Sequence, residues 1–555
     1  MANPQDLTQD PALQDDELAQ ADVREHERLK SERAPWESTW REIDERFPDG
    51  AGGFNQASPG MVRGAANFDS THITALERFA AAGVAITTPE EKQYIRPRFG
   101  DPELQKLRPV QLWCERAGQR LYDIRHAAHT GFGIAVNEDW DQLGRYGTSP
   151  MWSEARAGVG LFYRTLHLAE IYIDVDFAGL VDVAHRRFMR TARQLEQMFG
   201  MDALTPRMRG SLRDNKPHAE YEILHVVAPN TQWDRDRMDW RRLPIASRYL
   251  ALDEKIYLRR SGYHTMPISV SRHTTSAGEK YGRSPAIKML PTIAGLNAMR
   301  HTTLRAGHKA VDPALLFNND DGVTKLVTKP GGMNPGLVDE AGRTMVQRMP
   351  GGENGLPYAM EMIEGERAEI RTAFLEEFYK ILTDPNSRMT TTEVLEVMAK
   401  QGVLVRPYAS RYATEKQNPV SQRDLDLAMR AGQVEPFPPE VLEAGAWPIV
   451  EYENELAAMA RAQSTSKTLR FVEALGPIAQ ADPTIFDYLD TDTMVPGLAE
   501  EIGVKPSYIR DPKDVTAIRK ARADSEEAAA GVEQLQGAAA AYKDIAQGNQ
   551  ISEAA

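Results

Sequence analysis

The chain has 555 residues, 41% of them hydrophobic and 26% charged, enough to bury a sizeable core divided among several domains. Its formal net charge of −14 argues against tight wrapping of nucleic acid, because surfaces that grip nucleic acid are usually basic. A single cysteine, Cys114, excludes an internal disulfide and any multi-thiolate metal site, and with no run of about twenty apolar residues and an acidic start, neither a membrane span nor an export signal is expected.

In chain order, residues 1–30 are polar, acidic and free of Phe, Tyr and Trp, which reads as a flexible acidic arm or a solvated helix, with order expected from about Glu32. Trp36, Trp40, Ile43 and Phe47 then fall at i, i+4, i+7 and i+11, the spacing of one helical face, until Pro48 stops the helix. A Gly- and Asn-rich loop over 49–67 leads to a helix capped by Asp69 or Ser70 and carrying Ile73, Leu76, Phe79 and Ala80. Residues 104–146 are mostly helical. Cys114, in the setting LWCER, suits a buried thiol; His126 and His129 lie one turn apart, but no carboxylate at a matching spacing completes a metal site.

The segment Leu161–Phe177 (LFYRTLHLAEIYIDVDF) alternates polar residues with β-branched and aromatic ones and predicts strands that end at an Ala178-Gly179 turn. Its acids Asp174 and Asp176 are spaced as polar neighbours on one strand face and read as structural. Val183 to Phe199 is read as helix, ended by Gly200. Residues 219–275, with EYEILHVVAP and KIYLRRSGYHTMPISVSR, return to strands, so the middle is α+β and the ends are almost wholly helical. Beyond Pro439, helices are expected around Leu456–Ala462 and Thr468–Leu475, while the Ala-, Glu- and Gln-rich tail from Ala521 reads equally as helix or as disorder.

Catalytic patterns are missing. The nearest approach to a phosphate loop, Gly278–Ser284 (GEKYGRS), lacks the spacing that sets a lysine and a hydroxyl against phosphate, and there is no G-x-S-x-G, H-E-x-x-H or cysteine-histidine cluster. No enzymatic activity, no cofactor and no metal are expected.

Four segments together resemble the head-to-tail connector, or portal, family of short-tailed bacteriophages. They are FDSTHITALERFAAAG at 68–83, LHLAEIYIDVDFAGLVDVAHRRF at 166–188 followed by TARQLEQMFG at 191–200, YGRSPAIKMLPTIAGLNAM at 281–299, and RMTTTEVLEVMAKQ at 388–401. Each is a packing or turn pattern on its own, and it is their order that is specific; the similarity runs from about Trp36 to Arg430. The resemblance implies a multidomain α+β portal fold, mostly helical, that assembles as a ring of twelve. Its parts would be a wing (31–283, resumed by a helix at 390–430), a stem of two helices (284–309 and 358–382), a β-containing clip (310–357), a channel loop (383–389) and a helical crown (431–520), between the arm (1–30) and the tail (521–555). It also implies partners: double-stranded DNA in transit, the terminase large subunit, major capsid and scaffolding proteins and a tail adaptor, with no membrane. The location implied is the portal vertex of the virion, and the host cytoplasm during assembly.

The residues can be read against that plan. Ser284 and Pro285 supply an N-cap and a first-turn proline for the first stem helix, although Pro291 should bend it or delay its start. The second, from Tyr358, sets Ile363, Ile370, Phe374, Phe378 and Ile381 on one face and ends at Asp384-Pro385. Between them, strand-like pieces such as TKLVT suit either a small clip or a long surface excursion, with Lys325, Lys329 and Arg343 as candidate partner-binding cations. In the channel loop the candidates are Asp384, Asn386, Ser387, Arg388 and Met389, ahead of a capping box of Thr390 and Glu393. Arg388 is the one cation there; its alternative role is to pair with Asp384 or Glu393. The first stem helix is basic, with Arg300, Arg305 and Lys309, and the second acidic, with Glu366 and Glu369, which fits either pairing between adjacent subunits or ordinary solvated helix surface. Two other readings of the whole chain stay open: another phage structural protein, scaffold or core, and an enzyme with an unrecognised site. The eight tryptophans mark a packed fold and speak against a scaffold of charged helix.

Overall fold

The computed structural model describes residues 16–48, 53–55, 61, 64–90, 93–156, 160–317, 326–335, 337–338, 341–349, 355–376, 407–452, 471, 473, 489–502, 504, 506–511 and 513–528. In chain order come α1 (Asp16–Arg46), α2 (Thr71–Thr87), β1 (Ile95–Arg98), α3 (Pro102–Lys106), α4 (Arg108–Arg125), α5 (Phe132–Tyr146), β2 (Thr148–Arg156), β3 (Gly160–Thr165) and β4 (Ile171–Val175). They are followed by β5 (Val181–Thr191), α6 (Ala192–Phe199), α7 (Pro206–Arg213), β6 (Glu220–Pro229), β7 (Ile245–Ala251), β8 (Ile256–Tyr263) and β9 (Ile268–Arg272). Then come α8 (Pro285–Val311), β10 (Leu315–Phe317), β11 (Val346–Arg348), α9 (Leu356–Ala373), α10 (Asn418–Arg430), α11 (Pro439–Ala444), β12 (Ile449–Tyr452) and α12 (Thr491–Ile502). The architecture is mixed helix and open sheet, as α+β requires. Contacts group the chain into two compact units: Met1–Ile95 with Arg120–Val434 and Val450–Leu456, and Arg96–Gln119 with Glu435–Ile449 and Ala457–Ala555.

The larger unit is built on two antiparallel sheets, β4-β5-β6-β7-β8 and β3-β2-β9. The first corrects the expectation of a helix from Val183: Val181–Thr191 is the strand β5, and only Ala192–Phe199 is helical, opened by the Thr191 capping box and closed at Gly200. In β5, Ala184 lies opposite Val227 and Phe188 opposite Ile223, so pairing with a strand some forty residues away overrides a local pattern that fits either period. Leu195, Phe199 and Met208 of α6 and α7 cover Phe188, Ile223 and Leu258 of this sheet.

Helix α1 begins at Asp16 and not near Glu32. Its first half packs on the sheet with largely polar residues, which is why its composition reads as an arm. Ala19 joins Leu224 and Leu250, Asp22 accepts two hydrogen bonds from Arg248 at 2.6 and 2.7 Å and one from Tyr257 at 2.8 Å, and Arg33 donates to the Ile171 and Leu168 carbonyls. His26 is fully buried beside Tyr172 and His185; burial pulls its pKa to about 3 and that of His185 to about 4, so both rings stay neutral. In the second half, Trp40, Ile43 and Phe47 are buried as their spacing predicts, and Trp40 meets Trp36, Phe54 and Tyr281 with ring centroids 5.0–5.8 Å apart.

Helices α2 and α5 cross closely because glycine stands at both contact points: a Cβ on Gly83 would strike the Trp140 indole, and one on Gly144 would strike Leu76. Asp69 accepts from the Thr71 amide at the start of α2, whereas Ser70 makes no side-chain cap.

Residues 407–412 are helical, Ala413–Gln417 form a π turn, and α10 follows directly. This helix is held by buried ions. Lys416 Nζ lies 2.8 Å from Asp139 and donates to the carbonyls of Ser149 and Ser269; both side chains of the pair are within 1% of complete burial. Arg125 is paired with Asp424 at 2.6 Å, Arg272 with Glu415 at 2.6 Å, and Arg423 donates to the Ser153 and Thr265 carbonyls. A π turn widens the helix by one residue, which lets the consecutive side chains Glu415 and Lys416 both turn inward.

The smaller unit is stapled by aromatics: Trp113 lies 5.0 Å from Phe437 and 6.0 Å from Phe99, and its indole N–H donates to the Glu435 carbonyl. Cys114 is buried there, and burial pushes its thiol up to about 12, so it packs as an inert hydrophobe. The expected helices around 456–462 and 468–475 and the last 27 residues lie wholly or mostly outside the described residues.

Two substitutions test this packing. Trp40→Ala should cost about 3–5 kcal/mol, read as a lower denaturation midpoint of the full chain. Lys416→Met should cost a similar ~3–5 kcal/mol by leaving Asp139 buried without its cation, and Asp139→Leu added to it should return part of the loss.

Candidate functional site

The stretch from α8 to α9 is where the chain runs out of its own core. Ser284 Oγ caps α8 by accepting from the Ile287 amide, and Pro285 occupies the first helical position. Pro291 does not delay the start: the helix runs from Pro285 through it to Val311, with Pro291 itself exposed. Over its 27 residues α8 is about 40 Å long. Pro285, Ala286, Leu290, Ile293 and Leu296 are buried, and past Leu296 no residue of the helix is.

Helix α9 returns to the core through Ile363 and Ile370, buried to 2% and 0% exposure, and its end is fixed by side chains of α1 and α2. Phe374 packs against Phe47 and Phe79, Arg367 pairs with Asp69 at 2.6 Å, and Glu376 pairs with Arg78. The helix ends at Ala373, followed by Leu375 in the left-handed region at φ 58°, and the expected continuation over 377–382 lies outside the described residues. Phe378 and Ile381 lie outside the described residues, as do Asp384, Asn386, Ser387, Arg388 and Met389 and the Thr390–Glu393 box.

Between the helices, Leu315–Phe317 pairs antiparallel with Val346–Arg348, and Val338 bridges to Thr344. The β element expected at 310–357 is therefore made by the two ends of the segment; the described part of TKLVT is not strand. Apolar side chains here face solvent: Val311 is 89% exposed, Met333 88%, Tyr358 69%, Met360 58% and Met349 53%. Among the described residues of 312–355, only Leu337 is buried. Lys329 and Arg343 are exposed on this segment, and Lys325 lies outside the described residues.

The expected stem charges divide by helix. Arg305 and Lys309 on α8 are exposed and Arg300 is half-buried; on α9 Glu369 is exposed and Glu366 half-buried. None of the five forms an ion pair among the described residues, unlike Arg367 lower on α9, which is shared by Asp69 and Glu364. The side chains that sequence reasoning missed are the buried ions Lys416, Arg125 and Arg423, whose carboxylate and carbonyl partners lie 147 or more residues away. No local signal marks them.

Among the described residues no group of His, Cys, Asp or Glu side chains could hold a metal ion, and no helix is long and apolar enough to cross a membrane.

The family model described as "Bacteriophage head to tail connecting protein" matches residues 20–509. The chain is 27% identical to the probable portal protein of Bordetella phage BPP-1 over 511 residues, 90% of each chain, and 25% identical to the portal protein of Salmonella phage epsilon15 over 543 residues, 94% of each. The chain belongs to the bacteriophage head-to-tail connecting protein family, as a structural connector and not an enzyme.

Proposed function

We propose that copies of this chain close into a ring of twelve at one vertex of a phage head, and that double-stranded DNA enters and leaves the head through it. The observation that carries this reading is the uncovered outer half of the α8–α9 hairpin, which exposes large apolar side chains at its tip. Such surface marks a contact, and a head-to-tail contact repeated between identical copies closes into a ring.

In this reading the wing takes in α1 from Asp16 and runs to 283, with 390–430 added to it. Residues 284–309 and 358–382 form the stem, 310–357 the clip, 383–389 the channel loop and 431–520 the crown. The clip, with Lys325, Lys329 and Arg343, meets the terminase large subunit during packaging and the tail adaptor afterwards; the wing meets the capsid and scaffolding proteins. Rings form in the host cytoplasm and stay in the virion at the portal vertex.

A conduit must hold a charged polymer loosely, since every phosphate neutralised adds affinity that has to be broken at each step. A chain of net charge −14 with few cations near its narrowest part suits that demand. Arg388, set among Asp384, Asn386, Ser387 and Met389, is the phosphate contact of the channel loop in this reading.

Twelve copies of the 62.0-kDa chain weigh about 740 kDa, so native mass measurement of the purified protein decides the ring; a monomer or dimer at every concentration would overturn it. Arg388→Glu should assemble normally yet package or retain DNA poorly, with a defect that changes with salt, because a phosphate contact is displaced by added ions. Lost assembly or stability with DNA handling intact would assign Arg388 to pairing with Asp384 or Glu393 instead.

A further inference from the structure

We propose that the first half of α1, Asp16–Arg33, is a strap that lifts off the five-stranded sheet about Pro35 when His26 and His185 take up protons. Lifting uncovers Leu224, Val226 and Leu250 on that sheet. The device belongs to the single chain, whether or not copies form a ring.

Helix α1 is held in two different ways on either side of its one internal proline. After Pro35, Trp40 and Ile43 are fully enclosed apolar side chains. Before it, the buried stripe is Ala19, Asp22, His26, Leu29 and Arg33, at i, i+3, i+7, i+10 and i+14, and only Ala19 and Leu29 of these are apolar. Pro35 has no N–H to give to the carbonyl of Ser31, so the helix lacks one ladder bond between the two halves, where bending costs least.

The histidines lie where the strap meets the sheet. Tyr172 of β4 and His185 of β5 are cross-strand neighbours, and His26 stands over the pair. Its ring is 4.7 Å from that of Tyr172, edge to face, and 5.9 Å from that of His185, nearly parallel. His26 is 0% exposed and His185 1%. Neither ring nitrogen of His26, nor Nδ1 of His185, has a hydrogen-bond partner among the described residues. An apolar ring would fill the same space without stranding polar atoms, so the imidazoles weaken the docking of the strap.

Burial above all holds His26 at about 3 and His185 at about 4, against 6.5 for a histidine in water. The surrounding charges add to this at His26, which is faced by His185 and by three cations, Arg187, Lys30 and Arg33. His185 is faced by the carboxylates of Asp22 and Glu25 and by the guanidiniums of Arg248 and Arg28. His225 is on the opposite face of the sheet, bonded to Ser247 and stacked on Tyr249, and stays covered when the strap lifts.

The direction of the response follows. With the strap lifted both rings meet water and bind protons below about pH 6.5, whereas docked they stay neutral to about pH 4. The docked state therefore binds fewer protons; its stability is complete above pH 6.5 and declines as the pH falls. Below 6.5 each histidine shifts the equilibrium tenfold per pH unit, so from pH 7.5 to 5.5 the two together favour lifting by about a hundredfold. The ion pairs of the strap respond lower. Arg28 is held by Glu25, Glu32 and Asp174, and Lys280 by Glu32 and Asp174. The hydrogen bond from Arg28 lowers Glu25; burial raises Asp174, but the bonds from Lys280 and Arg28 outweigh it, so both carboxylates are still charged at pH 5.5.

Amide hydrogen exchange of the full chain at pH 7.5 and 5.5, corrected for the intrinsic pH dependence of exchange, tests the strap. The opening constant of amides 19–33 should rise about a hundredfold, with those of 36–47 and of β6 unchanged. H26F should lower opening at both pH values and keep about tenfold of the rise, and H26F/H185F should abolish it. P35A, which restores the missing bond, should lower opening equally at both pH values and leave the hundredfold ratio intact. A wild-type rise below about threefold would overturn the proposal, as would a full rise that survives in H26F/H185F. An equal rise in 36–47 would show unfolding of the whole unit in place of a strap and overturn it too. Should the double variant not fold, P35A decides: reduced opening confined to 19–33 supports the hinge, and opening as ready as in the wild type refutes it.

Discussion

A helix is stable in water only as far as something covers its apolar face, and α8 outruns its cover at Leu296. Up to that residue the cap at Ser284 and the burial of Ala286, Leu290 and Ile293 hold it to the body of the chain. Beyond it α8 is touched by α9 and by residues 66–68, where Phe68 lies against the His301 ring and Asn297 accepts from the Phe68 amide and donates to the Ala66 carbonyl, and none of its residues there is buried. In this chain the surface available for partners is a consequence of where the core stops.

The opposite regime governs the helix of 407–430. Charges that would prefer water are enclosed: Lys416 with Asp139, Arg125 with Asp424 and Arg272 with Glu415. Burial by itself lowers the pKa of Lys416, and the Asp139 carboxylate opposes that shift. Such pairs add little net stability compared with apolar packing, since desolvation offsets most of the attraction. What they supply is geometry. A buried ion accepts one position for its partner, so the π turn at Ala413–Gln417 and the strands β2 and β9 are held in one register.

What the sequence by itself determined is what lies within a few turns of chain. The Trp40, Ile43 and Phe47 face, the Ser284-Pro285 start of α8, the Gly200 end of α6 and the strands of 219–263 were all legible, because each depends on neighbours fewer than about a dozen residues apart. The order of four such segments was enough to point to the connector family. Tertiary structure alone decided that Val181–Thr191 is strand, that α1 starts at Asp16 on a polar buried face, that Phe374 just past α9 packs against Phe47 and Phe79, and that Lys416 and Arg125 are interior. Each of these turns on a partner contributed by a distant element: β6 for β5, Arg248 for Asp22, Asp139 for Lys416. Period and capping are local properties of a chain. The burial of a charge and the choice of a strand's neighbour are set only when the chain closes on itself.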